Sequence, residues 1–215
     1  MKTRDKILQV ALRQFNKRGT DRVTVRSIAD ELGISPGNFH YHFKNTDAII
    51  QELYLQLAGE MAEEILKAQS PQMDLAWLIK FAEIPFRKLY KYKFLLLDFV
   101  RIMRRIDSIR NHFRQHIAAQ QMQFGLAIQS MINQGILKPA WMEGMYERFV
   151  QRFLILGDAW IPHAEIHFDQ EEEEVVIRHY VDLFMDTLVP YLTDKGLEVF
   201  LELKSMRTHD TPKGK

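Results

Sequence analysis

The sequence predicts an all-helical protein, and three observations carry that expectation. Apolar residues recur at three- and four-residue steps along most of the chain. No stretch alternates apolar and polar residues as a half-buried strand would. The 10 glycines and 7 prolines are sparse and fall between the periodic segments, where short turns would join helices. With 215 residues, 47% apolar and 27% charged, the composition suits one sizeable core or two modest domains and excludes disordered, collagenous or repeat architectures.

The spacing predicts a first helix from about Arg4 to Arg18, with Ile7, Leu8, Ala11, Leu12 and Phe15 on one face and Gly19 ending it. Thr24 then caps a short helix carrying Val25, Ile28, Ala29 and Leu32. Gly33 stops it, and Ser35-Pro36 restarts the chain with an N-cap and a proline at the first helical position, where a missing N–H costs nothing. A third helix is expected to reach Phe43. Asn45 caps a longer fourth through Ile49, Leu53, Leu57 and Ile65 to about Gln69. Ser70-Pro71 should open the next, near 72 to 90, with a kink or turn end at Pro85. Further helices are expected near 93 to 105, 108 to 134, 140 to 161 and 171 to 193, then a short amphipathic segment after Gly196 and a flexible tail over 208–215.

Cysteine is absent, which excludes disulfides, Cys-ligated metals and thiol nucleophiles. The charged start, Met1 to Lys6, lacks the apolar stretch of a signal peptide, and the greasiest run, Phe94 to Val100, is far too short to span a bilayer. A cytoplasmic protein with no membrane partner is therefore expected. Charge is nearly balanced overall, but residues 1 to 47 hold nine basic groups against five acidic ones and the remainder is net acidic. A basic end on an acidic body points to a polyanionic partner for that end alone.

The segments on either side of Gly33-Ile34-Ser35 form a helix-turn-helix whose second helix suits a DNA major groove. Ile34 plugs the core beneath the turn, and Phe39 and Phe43 anchor the second helix inward. Pro36, Gly37, Asn38, His40, Tyr41 and His42 are left outward, where small residues allow close approach and Asn, His and Tyr offer hydrogen bonds to bases or phosphates. A plain basic surface on a three-helix bundle is the bland alternative. A metal held by His40 and His42 is disfavoured because the two lie about 200° apart on a helix.

The stretch from Ile7 to Ile50, above all Thr24 to Phe43, resembles the N-terminal domain of TetR/AcrR-type transcriptional regulators. The resemblance implies an all-helical homodimer: a DNA-binding domain over 1–47, then an effector-binding and dimerisation body over 48–207. It implies that Thr24 caps the second helix and touches a phosphate, and that Arg26 reaches DNA. It also places Pro36, Gly37, Asn38, His40 and Tyr41 toward the groove, and His42 and Lys44 on the backbone, with Ser35 capping the recognition helix. This chain departs from the family pattern in having His40 where tyrosine is usual, Tyr41 at a variable position, and Thr46 in the region where a lysine is common.

In the body, apolar stripes run through Phe149, Phe153 and Trp160, and through Tyr180, Phe184 and Leu188. Such stripes are usually monomer core. The family resemblance implies instead that two C-terminal helices from each subunit form an intersubunit four-helix bundle, so these six residues are the candidate dimer interface. Trp77, Phe81 and Phe94, with Phe113, Ile117, Gln120 and Phe124 on one face of a later helix, are either core or the wall of an apolar effector pocket. Asp98 and Arg101 would orient a polar end of a ligand or pair with each other. His112 with His116, and His163 with His167, have the i, i+4 spacing of a shared metal, but no third ligand is identifiable, so no metal and no cofactor is expected. Glu171 to Glu174 should stabilise a helix N-terminus.

The chain contains no GxGxxG, GxxxxGKS, HExxH or GxSxG, which argues against an enzyme. The expected function is a DNA-binding transcriptional regulator, a repressor released from a palindromic operator by a small apolar or amphipathic effector. The rival is a helical adaptor that holds a small molecule or protein without binding DNA.

Overall fold

The computed structural model describes residues 2–68, 73–168 and 171–207 in full, and the backbone of 208 and 209. Eleven α-helices appear among the described residues: α1 (Thr3–Arg18), α2 (Val25–Leu32), α3 (Pro36–His42), α4 (Thr46–Lys67), α5 (Leu75–Lys91), α6 (Phe94–Leu97), α7 (Phe99–Arg105), α8 (Asp107–Asn133), α9 (Met145–His167), α10 (Glu173–Asp186) and α11 (Asp194–His209). A 3-10 turn at Val189–Tyr191 joins the last two. The described residues contain no strand, and an isolated antiparallel bridge ties Leu137 to Leu192.

Two apolar clusters hold these helices together. The first packs Ile7, Phe15, Ile28, Phe39, Ile49 and Leu53 of the N-terminal helices against Tyr92, Phe94, Ile102 and Ile109. The second joins α5, α8, α9, α10 and α11 through Phe86, Met131, Phe149, Phe153, Trp160, Val181, Phe184 and Phe200. Helix α4, 22 residues and so about 33 Å long, starts beside α3 and packs along α5 and α8.

Several boundaries differ from the sequence reading, each for a local reason. Helix α5 is capped by Asp74, whose Oδ1 accepts from the Trp77 N–H at 2.7 Å. The expected Ser70-Pro71 start, and Gln69 as the end of α4, lie outside the described residues. Pro85 sits inside α5 without ending it. The expected helix over 93 to 105 is two helices, because Asp98 turns the chain (φ −105°, ψ 22°). Gly144, left-handed at φ 67°, delays α9 to Met145, and α9 runs on through Pro162 to His167. The segment expected over 171 to 193 stops at Asp186, and Pro190 lies in the 3-10 turn that follows. Helix α11 begins before Gly196, capped by Thr193, whose Oγ1 accepts from the Gly196 N–H at 3.0 Å. Its backbone is helical to His209, so residues 208 and 209 of the expected tail are helical and the rest of it lies outside the described residues.

Gly196 is where α11 presses on the turn after α8: a Cβ there would overlap the Ile136 carbonyl oxygen. A backbone carbonyl cannot swing aside as a flexible side chain does. Gly196→Ala is therefore expected to destabilise the protein by about 1 to 3 kcal/mol, read as a lower denaturation midpoint. An unchanged midpoint would show that the α11 start moves freely.

Candidate nucleic-acid interface and internal cavity

The N-terminal helices are built by local capping. Thr24 Oγ1 accepts from the Ser27 N–H and Ser27 Oγ accepts from the Thr24 N–H, both at 3.1 Å, a reciprocal box that fixes the start of α2. Gly33 ends α2 in the left-handed conformation at φ 63°. Ser35 Oγ then accepts from the Asn38 N–H at 3.2 Å, and Pro36 occupies the first turn of α3. Asn45 Oδ1 accepts from the Ala48 N–H at 2.9 Å and opens α4.

Phe39 in α3 is fully buried and Phe43, just after it, nearly so, with the Arg4 guanidinium 5.2 Å from the Phe43 ring centre. That anchoring leaves Ser35, Pro36, Gly37, Asn38, His40, Tyr41 and Lys44 exposed, and His42 half-buried with its ring edge against Tyr41. Tyr41 stands furthest out, 85% exposed. Thr24 and Arg26 are exposed on α2 and its cap, and Arg26 lies 3.6 Å from Asp30 one turn on. A buried amide unanticipated from the sequence locks α1 to α2: Gln14 Nε2 donates to the Ser27 carbonyl at 3.1 Å and to Glu31, while Gln14 Oε1 accepts from Ser27 Oγ at 2.8 Å.

The corner between α5 and α7 grips this N-terminal unit. Asn16 donates to the Lys91 carbonyl at 2.9 Å and accepts from the Phe94 N–H at 3.1 Å. Asp98 Oδ2 accepts from both the N–H and the hydroxyl of buried Thr20, at 2.6 and 2.8 Å. Arg101 pairs with Asp21, and Arg105 with Asp47 at 3.0 Å. Burial alone would raise the Glu60 carboxyl, but hydrogen bonds from Lys91 and Tyr92 outweigh it and hold the group below the usual carboxylate range. Asp98 and Arg101 therefore neither pair with each other nor face a ligand site. Their partners are contributed by the chain 78 and 80 residues upstream, which spacing within one helix could not reveal.

A cavity of about 700 Å³ lies between α4, α5, α8, α9 and α10. Phe81, Phe113, Ile117, Gln120 and Phe124 line it, as do Met61 and Leu57 of α4. Trp77 does not: it stacks on Phe81 from outside and donates Nε1 to the Ala68 carbonyl at 2.9 Å. Phe94 does not either, being buried against Phe15 in the N-terminal core.

The polar groups of the lining were mostly missed. Tyr54 shares a 2.9 Å hydrogen bond with His112 Nδ1, and burial pushes its hydroxyl up to about 12. Burial, with a lesser contribution from His112, holds His116 below the usual imidazole range. His112 and His116 thus serve the cavity wall. His163 and His167 are stacked on each other at 3.9 Å, with His163 bonded to the Tyr180 hydroxyl. Among the described residues no group of three potential ligands could hold a metal.

Asp158 also faces the cavity, and burial pushes its carboxyl up to about 6. A raised carboxyl binds its proton more tightly in the folded state, so its penalty grows as pH rises from about 4 through 6 and persists above. Asp158→Asn is expected to raise the thermal midpoint of the ligand-free protein at pH 7, with the gain vanishing toward pH 4. A constant gain at every pH would show that the carboxyl is not the cause.

The matches to known proteins follow these two features along the chain. A family of bacterial regulatory proteins, tetR family, matches residues 7–53, and its companion, described as bacterial transcriptional repressor TetR, matches residues 57–200. The chain belongs to the TetR family. Among its TetR-family relatives, the HTH-type transcriptional repressor KstR2 of Mycolicibacterium smegmatis is 42% identical over 35% of this chain and 38% of its own. The probable acrEF/envCD operon repressor of Escherichia coli K12 is 31% identical over 32% of each. The matched stretch thus spans well under half of either relative. A TetR-family transcriptional regulator of known structure from Marinobacter aquaeolei has a TM-score of 0.84 at 24% identity, covering 99% of this chain and 100% of that one. That likeness shows a common TetR-family fold through the body as well as the head.

The six candidate interface residues of this TetR-family chain lie inside the protomer. Phe149, Phe153, Trp160, Tyr180, Phe184 and Leu188 are all buried in the second core, and Phe153 and Phe184 are packed ring to ring. The most regular stripe on α9 and α10 is the one that closes the monomer. The outward faces carry fewer apolar groups: Ile155 and Ile166, three turns apart on one side of α9, with Leu156 beside them and Leu183 on α10, all exposed. Among the described residues no helix is long and apolar enough to cross a membrane.

Proposed function

We propose that the protein is a transcriptional repressor that binds a palindromic DNA operator as a homodimer and is released from it by a small apolar or amphipathic effector. The observation that carries this reading is the division of α3: Phe39, with Phe43 at the helix end, is buried against the core, while Asn38, His40 and Tyr41 stand exposed. Thr24, Arg26, Ser35, His42 and Lys44 flank that face as the phosphate grip, while Pro36, Gly37, Asn38, His40 and Tyr41 enter the groove. Two such helices on a twofold dimer would read half-sites about one helical turn apart. The dimer forms on the outward faces of α9 and α10, through Ile155, Leu156, Ile166 and Leu183. Curated relatives are described as repressors, among them one of the acrEF/envCD operon, so regulation rather than catalysis is the activity.

The cavity, with Phe81, Phe113, Ile117, Gln120 and Phe124 in its wall, is the effector site. Helix α4 runs from the recognition helix to this wall, so an occupant that favours one tilt of α4 shifts the separation of the two heads, and operator and effector weaken each other's binding by the same factor. Selection of bound duplexes from a random pool tests the reading. It is expected to return an inverted repeat, with Tyr41→Ala losing discrimination at one position of each half-site by about 1 to 3 kcal/mol and Lys44→Ala weakening all duplexes alike. No enrichment, or sites without inverted symmetry, would overturn it.

A further inference from the structure

The cavity is nearly all apolar, but its charge inventory is lopsided. No lysine or arginine lines it, and its titratable groups are Tyr54 from α4, His112 and His116 from α8, and Asp158 from α9, with none from α5 or α10. No lysine or arginine is there to offset a carboxylate; burial holds His116 below the usual imidazole range, and His112 is already engaged with Tyr54. Asp158 forms no ion pair or hydrogen bond among the described residues, although it is largely enclosed. A carboxylate held in an apolar chamber without a partner is costly unless something brought from outside compensates it. The walls around it are aromatic, including Phe81, Phe86, Phe113 and Phe124, and ring faces attract cations. A carboxylate-bearing ligand would meet repulsion here and no lysine or arginine to receive it.

We propose that this cavity selects apolar molecules carrying a single positive charge, an alkyl or aryl ammonium, whose nitrogen seats against the Asp158 carboxylate with its apolar body among the rings of α5 and α8. The volume of about 700 Å³ suits a drug-sized molecule. This inference rests on the reading of the cavity as the effector site and adds the sign of the ligand's charge.

The test uses the full chain at pH 7.5 with a neutral fluorescent reporter of apolar cavities, N-phenyl-1-naphthylamine, and three competitors of equal chain length below their micelle concentrations: dodecyltrimethylammonium, dodecanol and dodecanoate. The ammonium is expected to displace the reporter at concentrations at least tenfold below those of the carboxylate, and its advantage over the alcohol to fall at least tenfold in Asp158→Asn. Dodecanoate competing as well as the ammonium, or an ammonium preference unchanged in Asp158→Asn, would overturn the charge selectivity while leaving a ligand cavity in place. Should Asp158→Asn fail to fold, the three-competitor series on the unmodified protein decides by itself. If the reporter does not bind, the cavity is not a ligand site and this inference falls with it.

Discussion

Replacing Phe39 with alanine is expected to cost about 3 to 5 kcal/mol, the range for deleting a fully buried aromatic ring. Phe39 has no exposed surface and packs with Phe43 beneath a recognition helix of only seven residues. A helix that short has no independent stability in water, so its orientation depends on these two anchors. Loss of the ring should abolish operator binding by disordering α3 before the rest of the protein melts. Phe39→Leu, which refills most of the volume, should recover much of both. The checks are denaturant unfolding and duplex binding on the same samples. Full operator affinity in Phe39→Ala would mean that capping by Ser35 and Pro36 alone positions the helix.

Asp98→Ala is expected to lower stability by about 2 to 4 kcal/mol, because it strands two donors of one buried residue. Thr20 is 3% exposed, and both its N–H and its hydroxyl give their hydrogen bonds to Asp98 Oδ2. Unsatisfied buried donors cost about 1 to 3 kcal/mol each. The second consequence concerns signalling. Leu96, two residues before Asp98, touches the cavity, so if the cavity is the effector site proposed above, the corner that grips Thr20 offers a second route to the head beside α4. At matched ligand occupancy Asp98→Ala should release operator less completely, and Asp98→Asn, which keeps an acceptor, should behave closer to the original. Equal release by all three proteins, measured as duplex dissociation against bound ligand, would confine the coupling to α4.

The elements legible in the sequence were those made by neighbours. The Thr24 cap, the Gly33 turn, the Ser35-Pro36 start and the Asn45 cap are each settled within three or four residues, and the family's own pattern covers the same stretch. Phe113, Ile117, Gln120 and Phe124 share one face of α8 at helical spacing, so their common placement was also readable. Asp98 was not, since its partner lies 78 residues away and nothing local distinguishes a carboxylate that faces a ligand from one that faces another helix. The interface was misjudged for a related reason. Periodicity marks a face that is buried but does not say by what, and on α9 and α10 the strongest stripe belongs to the protomer's own core.

The first apolar cluster carries a consequence for modularity. Its members run from Ile7 to Ile109, and Tyr92, Phe94 and Ile102, all almost wholly enclosed, come from beyond α4. A fragment ending after α4 would leave Phe15 without the Phe94 ring that packs on it. The reading head is thus not a cassette that can be grafted between relatives at the border the DNA-binding pattern suggests. A chimera would have to carry the corner from Tyr92 to Ile109 along with the head, and a swap made at residue 47 would join two halves of different cores.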